Sequence, residues 1–260
     1  MHPSAELEAA LEAATRAADI ARSLYLRNVE VRIKADRTPV TEADVRCELA
    51  IREILEARFP AHGFFGEETN PRDLSAESVW LVDPIDGTKS FVREYPFFST
   101  QIALMRGGEI VLGVSSAPVY GEIAHAERGG GAYLNGRPIR VSEIDTLSAA
   151  ALSSGNLKSL AAGERWPHYG RVVAEVNRIR GYGDFLHYHL LAAGKIDAVV
   201  ESDVNILDIA ACVAIVSEAG GRFTDLDGSP VGLQTTSVLA TNGRLHAPLL
   251  AALAGKAAGR

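Results

Sequence analysis

The stretch Trp80-Leu81-Val82-Asp83-Pro84-Ile85-Asp86-Gly87-Thr88-Lys89-Ser90-Phe91 runs from apolar chain into two closely spaced acids and then a glycine. Residues 79–82 have the unbroken apolar character of a strand covered on both faces. Asp83 and Asp86 follow at its exit. Carboxylates set against buried apolar chain are costly unless a cation meets them. A hard divalent ion such as Mg²⁺ takes oxygen ligands of this kind. Beyond the acids, the backbone N–H groups of Gly87 and Thr88 are suited to a phosphate. The stretch reads as a site for a metal ion and a phosphate group.

On its N-terminal side, the spacing of Leu7, Leu11, Ala14, Ala18, Ala21 and Tyr25 predicts an amphipathic helix over 4–27, with Ser4 as N-cap. A second helix is expected over 42–58, with Val45, Leu49, Ile51 and Leu55 inward and Phe59-Pro60 ending it. Pro39 keeps Thr38 extended, and Thr41 is an N-cap candidate. Asp44 then falls at N3, where it either completes the cap or takes a metal-linked role. The aromatic pair Phe64-Phe65, followed by Glu67-Glu68, predicts a short strand that breaks into a loop, and 71–77 reads as polar surface. Two glutamates alone would be ordinary surface, but the Asp83/Asp86 turn follows them closely.

Downstream, runs over 98–105 and 110–117 are joined by Arg106-Gly107-Gly108-Glu109, a hairpin signal. Runs over 122–126 and 131–134, with Asn135-Gly136 as a turn, extend an antiparallel sheet. The second half alternates. Strands are expected at 149–152, 178–180, 198–200, 222–224 and 238–240. Helices are expected at 166–175, at 184–193 closed by Gly194, and at 209–219 with Asp208 at its start. The expected class is α/β, with an α+β lobe over 1–145, a more α/β lobe over 146–260 and no linker between them.

The 260-residue chain is 47% hydrophobic and 23% charged, as in an ordinary globular protein. Its formal net charge of −7, with no basic cluster, argues against nucleic acid as a partner. No apolar run reaches the ~20 residues that span a bilayer, and no secretory pattern opens the chain. Cys47 and Cys212 lie far apart in helical segments without zinc spacing, which predicts buried, reduced thiols and a cytoplasmic setting.

Acids at strand and helix ends number Glu67, Asp83, Asp86 and Asp208, with Asp44 further out. Two-metal phosphoryl chemistry needs such a set, to hold ions about 3.5–4 Å apart that polarise the ester and activate water. For Asp208, a plain N-cap is the alternative. His187 and His189 stand two apart, so on a helix they face different sides and cannot share a metal; they and His168 read as core or surface histidines. There is no Gly-x-Ser-x-Gly elbow and no Cys/His nucleophile pattern.

Gly66-Glu67-Glu68, the 80–91 stretch, and Asp208-Ile209-Ala210-Ala211 running into Glu218-Ala219-Gly220-Gly221 resemble the inositol monophosphatase family, and the resemblance spans nearly the whole chain. It implies a layered αβαβα sandwich and a Mg²⁺-dependent phosphomonoesterase with two or three ions, inhibited by lithium, that works as a homodimer on a small phosphorylated metabolite. By the same resemblance Glu67, Asp83, Asp86 and the Ile85 carbonyl bind a first metal. Asp83, Asp86 and Asp208 hold a second. Glu67 reaches a third ion through waters, with Asp44 near it. Thr88, paired with Glu67, orients the attacking water, while the Gly87 and Thr88 N–H groups receive the phosphate.

Within that family, Arg178-Ile179-Arg180-Gly181-Tyr182-Gly183-Asp184-Phe185 looks like the corresponding segment of the histidinol-phosphate phosphatases. Asp184 and Glu201 are candidates for that substrate's ammonium, because carboxylates make charge-assisted bonds to it. Glu201 also matches a position that meets inositol hydroxyls, Asp184 has an N-cap alternative, and Arg180 either steers the anion or is a solvated strand residue. The expected function is a histidinol-phosphate phosphatase. An inositol-1-monophosphatase or a broad sugar phosphatase is the alternative, and a non-catalytic phosphometabolite sensor is the remote one.

Overall fold

In the computed structural model, residues 3–27, 30–33, 39–68 and 74–256 are described. The expected extended conformation of Thr38 and the 71–73 part of the polar loop lie outside them. The chain forms two compact units: Met1–Arg137 with Leu207–Ile215, and Pro138–Ile206 with Val216–Arg260.

The first unit opens with helix α1 (Ala5–Leu24), capped by Ser4, whose side chain accepts the Leu7 N–H. A short antiparallel pair, β1 (Val31–Ile33) and β2 (Pro39–Thr41), leads into α2 (Glu42–Arg58). The buried face of α1 is almost all alanine, and this lets α2 approach until the Cys47 thiol lies 3.4 Å from the Ala17 carbonyl. Next come β3 (Gly63–Gly66), β4 (Ser78–Asp86), the short helix α3 (Thr88–Val92), β5 (Ser99–Arg106), β6 (Glu109–Ala117), β7 (Glu122–Glu127), β8 (Gly131–Leu134) and β9 (Arg137–Ile139). These strands form one sheet in sequence order, antiparallel along β4 to β8, with β3 added parallel to β4. All nine residues of β4 are buried, as its apolar run predicts.

Two local readings change in this unit. Residues 83–86 are not beyond the strand: β4 continues to Asp86, and its register against β5 shifts between Asp83 and Asp86. Such an irregularity re-aims side chains locally. The inward face of α2 differs as well. Val45 and Leu49 are exposed, whereas Asp44, Cys47, Glu48, Ile51 and Leu55 are buried. An apolar-only count misplaces this face because two of its inward residues are carboxylates.

The second unit contains β10 (Ala151–Ser154), α4 (Lys158–Ala162), α5 (Trp166–Glu175), β11 (Arg178–Arg180), α6 (Asp184–Ala192) and β12 (Ala198–Ser202). Helix α7 (Ile206–Glu218), β13 (Arg222–Thr224), β14 (Ser237–Thr241) and α8 (His246–Leu253) follow. Its sheet is mixed, with order β11-β10-β12-β14-β13, the first three parallel and the last pairings antiparallel. The strand expected over 149–152 begins two residues later, after a 3-10 turn over Leu147–Ala149. The residues of α7 from Leu207 to Ile215 group with the first unit, so Asp208 belongs there although it lies far along the chain.

His246, buried at the start of α8, has both ring nitrogens occupied: Nε2 lies 3.0 Å from Thr224 Oγ1 and Nδ1 lies 3.1 Å from Thr241 Oγ1. The Thr224 hydroxyl donates to the Asp225 carbonyl, so it accepts from Nε2–H, and Nδ1 accepts from Thr241. Burial first, and then the charge of Arg222, lower the His246 pKa to about 4. The unfolded value is about 6.5. The neutral ring's contribution is therefore fully present above that value and is lost as pH falls toward 4. Between pH 7 and 4.5, the urea midpoint of the wild type should fall further than that of His246→Asn. Equal losses would remove His246 as the cause.

No helix among the described residues is long and apolar enough to cross a membrane.

Candidate active site

Asp83, Asp86 and Asp208 each offer a carboxylate oxygen, and these atoms lie within 4.8 Å of one another. Two of the acids end the buried strand β4. The third sits in the first turn of α7, inside the helix rather than at an N-cap. Asp208 reaches the cluster because β6 carries Gly113 where α7 crosses it: a Cβ there would overlap the Ala211 carbonyl oxygen. Asp83 is buried, and the pKa of its carboxyl is pushed well above the carboxylate range. Burial is the main cause, followed by the negative charges of Glu67, Asp86 and Asp208 and by hydrogen bonding with Glu67. These are four carboxylates, an all-oxygen donor set whose mutual repulsion a hard cation relieves.

Polar side chains that single-sequence reading passed over hold this cluster. Asp83 Oδ1 accepts the Ile85 N–H at 3.0 Å, which closes the turn at Pro84. Asp86 Oδ2 accepts from Ser99 Oγ at 3.3 Å. Ser99 Oγ in turn accepts from Gln101 Nε2 at 2.8 Å, and the same amide donates to Ser115 Oγ at 3.0 Å. The Cys212 thiol, one turn beyond Asp208 on α7, lies 3.8 Å from Gln101 Oε1. Serines and a glutamine at buried strand positions 99, 101 and 115 are thus a supporting layer, and their buried polar character was the available signal.

Glu67 itself is exposed at the end of β3. The chain on either side of it is fixed, because its N–H bonds the Val82 carbonyl and the following Glu68 N–H bonds Glu48 Oε2 at 2.7 Å. Gly66 is needed there, since a Cβ would press into the Glu48 carboxylate. Glu48, fully buried on α2, is therefore a further site-shaping residue.

Asp44 fills the cap predicted for it. Its Oδ2 accepts the Thr41 N–H at 2.7 Å, and the Thr41 hydroxyl caps the first turn of α2. Its other oxygen lies 2.9 Å from Thr88 Oγ1, which is also 3.1 Å from the Ile85 carbonyl. Burial raises the Asp44 pKa, and the bonds from Thr41 and Thr88 oppose that shift. Gly87 takes φ 92 against Phe97, where a Cβ would overlap the Phe97 carbonyl, so the turn into Thr88 requires glycine.

A model of the inositol monophosphatase family matches residues 3–258. The chain belongs to that family. A histidinol-phosphatase of Mycobacterium tuberculosis is 39% identical over 95% of this chain and 97% of that protein. An inositol-1-monophosphatase of Rhizobium meliloti is 36% identical over 84% of this chain and 83% of that protein. Among solved structures, the extragenic suppressor protein suhB of Bartonella henselae superposes with a TM-score of 0.88 at 33% identity, over 96% of this chain and 98% of that one. The mixed α/β fold expected from the sequence is the fold of these family structures. Like other family members, the protein is a phosphatase, a phosphoric monoester hydrolase.

The residues singled out for substrate lie in the second unit. Asp184 is the first residue of α6, with Gly183 rather than Asp184 as N-cap, and it takes φ 44, which aspartate tolerates better than most residues. Burial, then the charge of Glu201, raises its pKa, while His187 opposes the shift. For Glu201, burial pushes upward but is outweighed by His187, Tyr188 and the Asn156 N–H, so its carboxyl is held below the usual range. Arg180 is exposed on β11, with its guanidinium on the Ile179 carbonyl. His187 and His189 are buried, as expected of core histidines, but His187 is also paired with Glu201, which was not foreseen.

Proposed function

We propose that this phosphatase hydrolyses histidinol phosphate to histidinol and phosphate with Mg²⁺ as its metal. The observation that carries the reading is the pair of acids Asp184 and Glu201, both in the second unit and close enough for their charges to interact, a chemistry suited to an ammonium group. The names of several relatives support it, since proteins of three bacteria that are 34–39% identical are called histidinol-phosphatase.

Glu67, Asp83, Asp86, Asp208 and the Ile85 carbonyl would hold Mg²⁺, with Asp44 as an outer acid. The bound ions would polarise the phosphate and lower the pKa of water. The Thr88 hydroxyl, held between Asp44 and the Ile85 carbonyl and acting with Glu67, would orient the attacking water. The N–H groups of Gly87 and Thr88 would receive phosphate oxygens as charge builds on them. The Thr88 hydroxyl has one hydrogen to give; donated to Asp44, the nearer of its two acceptors, it would leave Thr88 Oγ1 to accept from the water.

Turnover of histidinol phosphate, inositol 1-phosphate and fructose 1,6-bisphosphate at one fixed Mg²⁺ concentration tests the assignment. Histidinol phosphate should give the highest kcat/KM. A preference for inositol phosphate of tenfold or more would leave the phosphatase and remove this substrate. That second reading has its own support in relatives called inositol monophosphatase.

A further inference from the structure

Glu201 is only 4% exposed, and its two oxygens are engaged differently. Oε1 accepts the Asn156 N–H at 3.0 Å and lies against Gly155, where a Cβ would overlap it. Oε2 accepts the Tyr188 hydroxyl at 2.8 Å and lies 3.2 Å from His187 Nε2. His187 is fully buried, packed edge-on against Tyr188, with Nδ1 3.4 Å from Ser153 Oγ. Ser153 Oγ already accepts the Tyr182 N–H at 3.2 Å, so its own hydrogen is available to Nδ1. The ring proton then sits on Nε2, which lies 3.2 Å from the carboxylate without being aligned on it as a hydrogen bond.

These contacts form a chain: Tyr182 N–H to Ser153, Ser153 to His187 Nδ1, and His187 Nε2 within ion-pair distance of Glu201. Tyr182 stands two residues before Asp184, so these contacts tie the loop that carries one acid to the side chain of the other. The Asn156 N–H and the Tyr188 hydroxyl hold one carboxylate oxygen each, and His187 adds to them the link back to the Tyr182 loop.

We propose that His187 is a positioning residue: through Ser153 and Glu201 it fixes the spacing of the Asp184/Glu201 pair and so sets affinity for a cationic phosphomonoester. This rests on the reading above that the two acids meet the substrate's ammonium. The contacts of His187 described above are all with residues of the second unit, so its removal should separate binding of the amine from turnover.

The test measures His187→Leu, His187→Gln, Ser153→Ala and Asp184→Asn at saturating Mg²⁺, with melting curves for each. The substrates are histidinol phosphate and p-nitrophenyl phosphate, which has no ammonium. His187→Leu should raise KM for histidinol phosphate about tenfold, the scale of a lost bond to a charged group. It should leave kcat, and both constants for p-nitrophenyl phosphate, within about twofold, well under the tenfold that a bond to a charged group is worth. His187→Gln restores an N–H donor toward Glu201 and should recover most of the affinity. Ser153→Ala should move KM in the same direction by less, and it keeps the test valid if the leucine variant does not fold. Unchanged KM for histidinol phosphate in the folded His187 and Ser153 variants, beside a raised KM in Asp184→Asn, overturns the positioning role alone. Unchanged KM in Asp184→Asn overturns the substrate reading beneath it. Equal rises for both substrates show general damage and also overturn the proposal.

Discussion

Asp86→Asn should cut phosphomonoester turnover by about a thousandfold or more while the protein remains folded. The metal's transition-state stabilisation is worth several kcal/mol, and about 4 kcal/mol corresponds to three decades in rate. The asparagine keeps the shape and an oxygen for Ser99 but removes a negative charge from a cluster whose members already repel one another. Two melting curves separate the contributions. In EDTA the variant should melt no lower than the wild type, because one like-charge interaction is gone. On adding Mg²⁺ the wild type should gain stability as RT ln(1 + [L]/Kd), and the variant should gain much less. A variant that keeps near-normal turnover, or the full Mg²⁺ shift, would show that Asp86 is not a ligand.

Gly113→Val should destabilise the protein by about 3 kcal/mol, the cost of forcing bulk into a well-packed contact. For a chain of this size that is roughly 6–12 °C in Tm. The neighbour of the missing side chain is backbone, the Ala211 carbonyl and α-carbon, and it cannot rotate away as a flexible side chain could. Relief comes only from movement of α7, which carries Asp208 three residues earlier. The variant should therefore also need more Mg²⁺ for half-maximal activity, whereas a substitution in the core of the second unit, such as Leu249→Ala, should lower Tm with the Mg²⁺ requirement unchanged. Loss of Tm without any change in Mg²⁺ requirement would uncouple Gly113 from the position of Asp208.

The most informative part of the sequence was the part in which the residues act as neighbours. Trp80 to Phe91 shows its apolar run, its acids and its glycine in one window, and the structure keeps them together in one strand and turn. The Thr41/Asp44 cap was equally readable because its partners lie three residues apart. What escaped was assembled across the chain. The inward face of α2 escaped because helix patterning counts only apolar residues as inward; Asp44 and Glu48 are buried there, and Val45 and Leu49, expected inward, are exposed. Ser99, Gln101 and Ser115 give no periodic signal, since their importance lies in hydrogen bonds to one another and to Asp86. His187 read as a core or surface histidine and is buried, and its neighbour Glu201 lies on another element, out of reach of a local pattern.

The return of Leu207–Ile215 to the first unit has a consequence for how the molecule can be made. A polypeptide ending at Arg137 has strands β3 to β8 of the first sheet but lacks Asp208, the Ala211 backbone that Gly113 accommodates and the Cys212 thiol beside Gln101. During synthesis, Asp83 and Asp86 emerge long before their third acid, and the sheet waits for a segment some seventy residues further on. Such long-range closure slows folding and exposes partly formed surface meanwhile. The first unit is thus not a module that can be cut out and transplanted. A fragment meant to carry the acidic cluster must supply residues 207–215 as well, on the same chain or as a separate peptide.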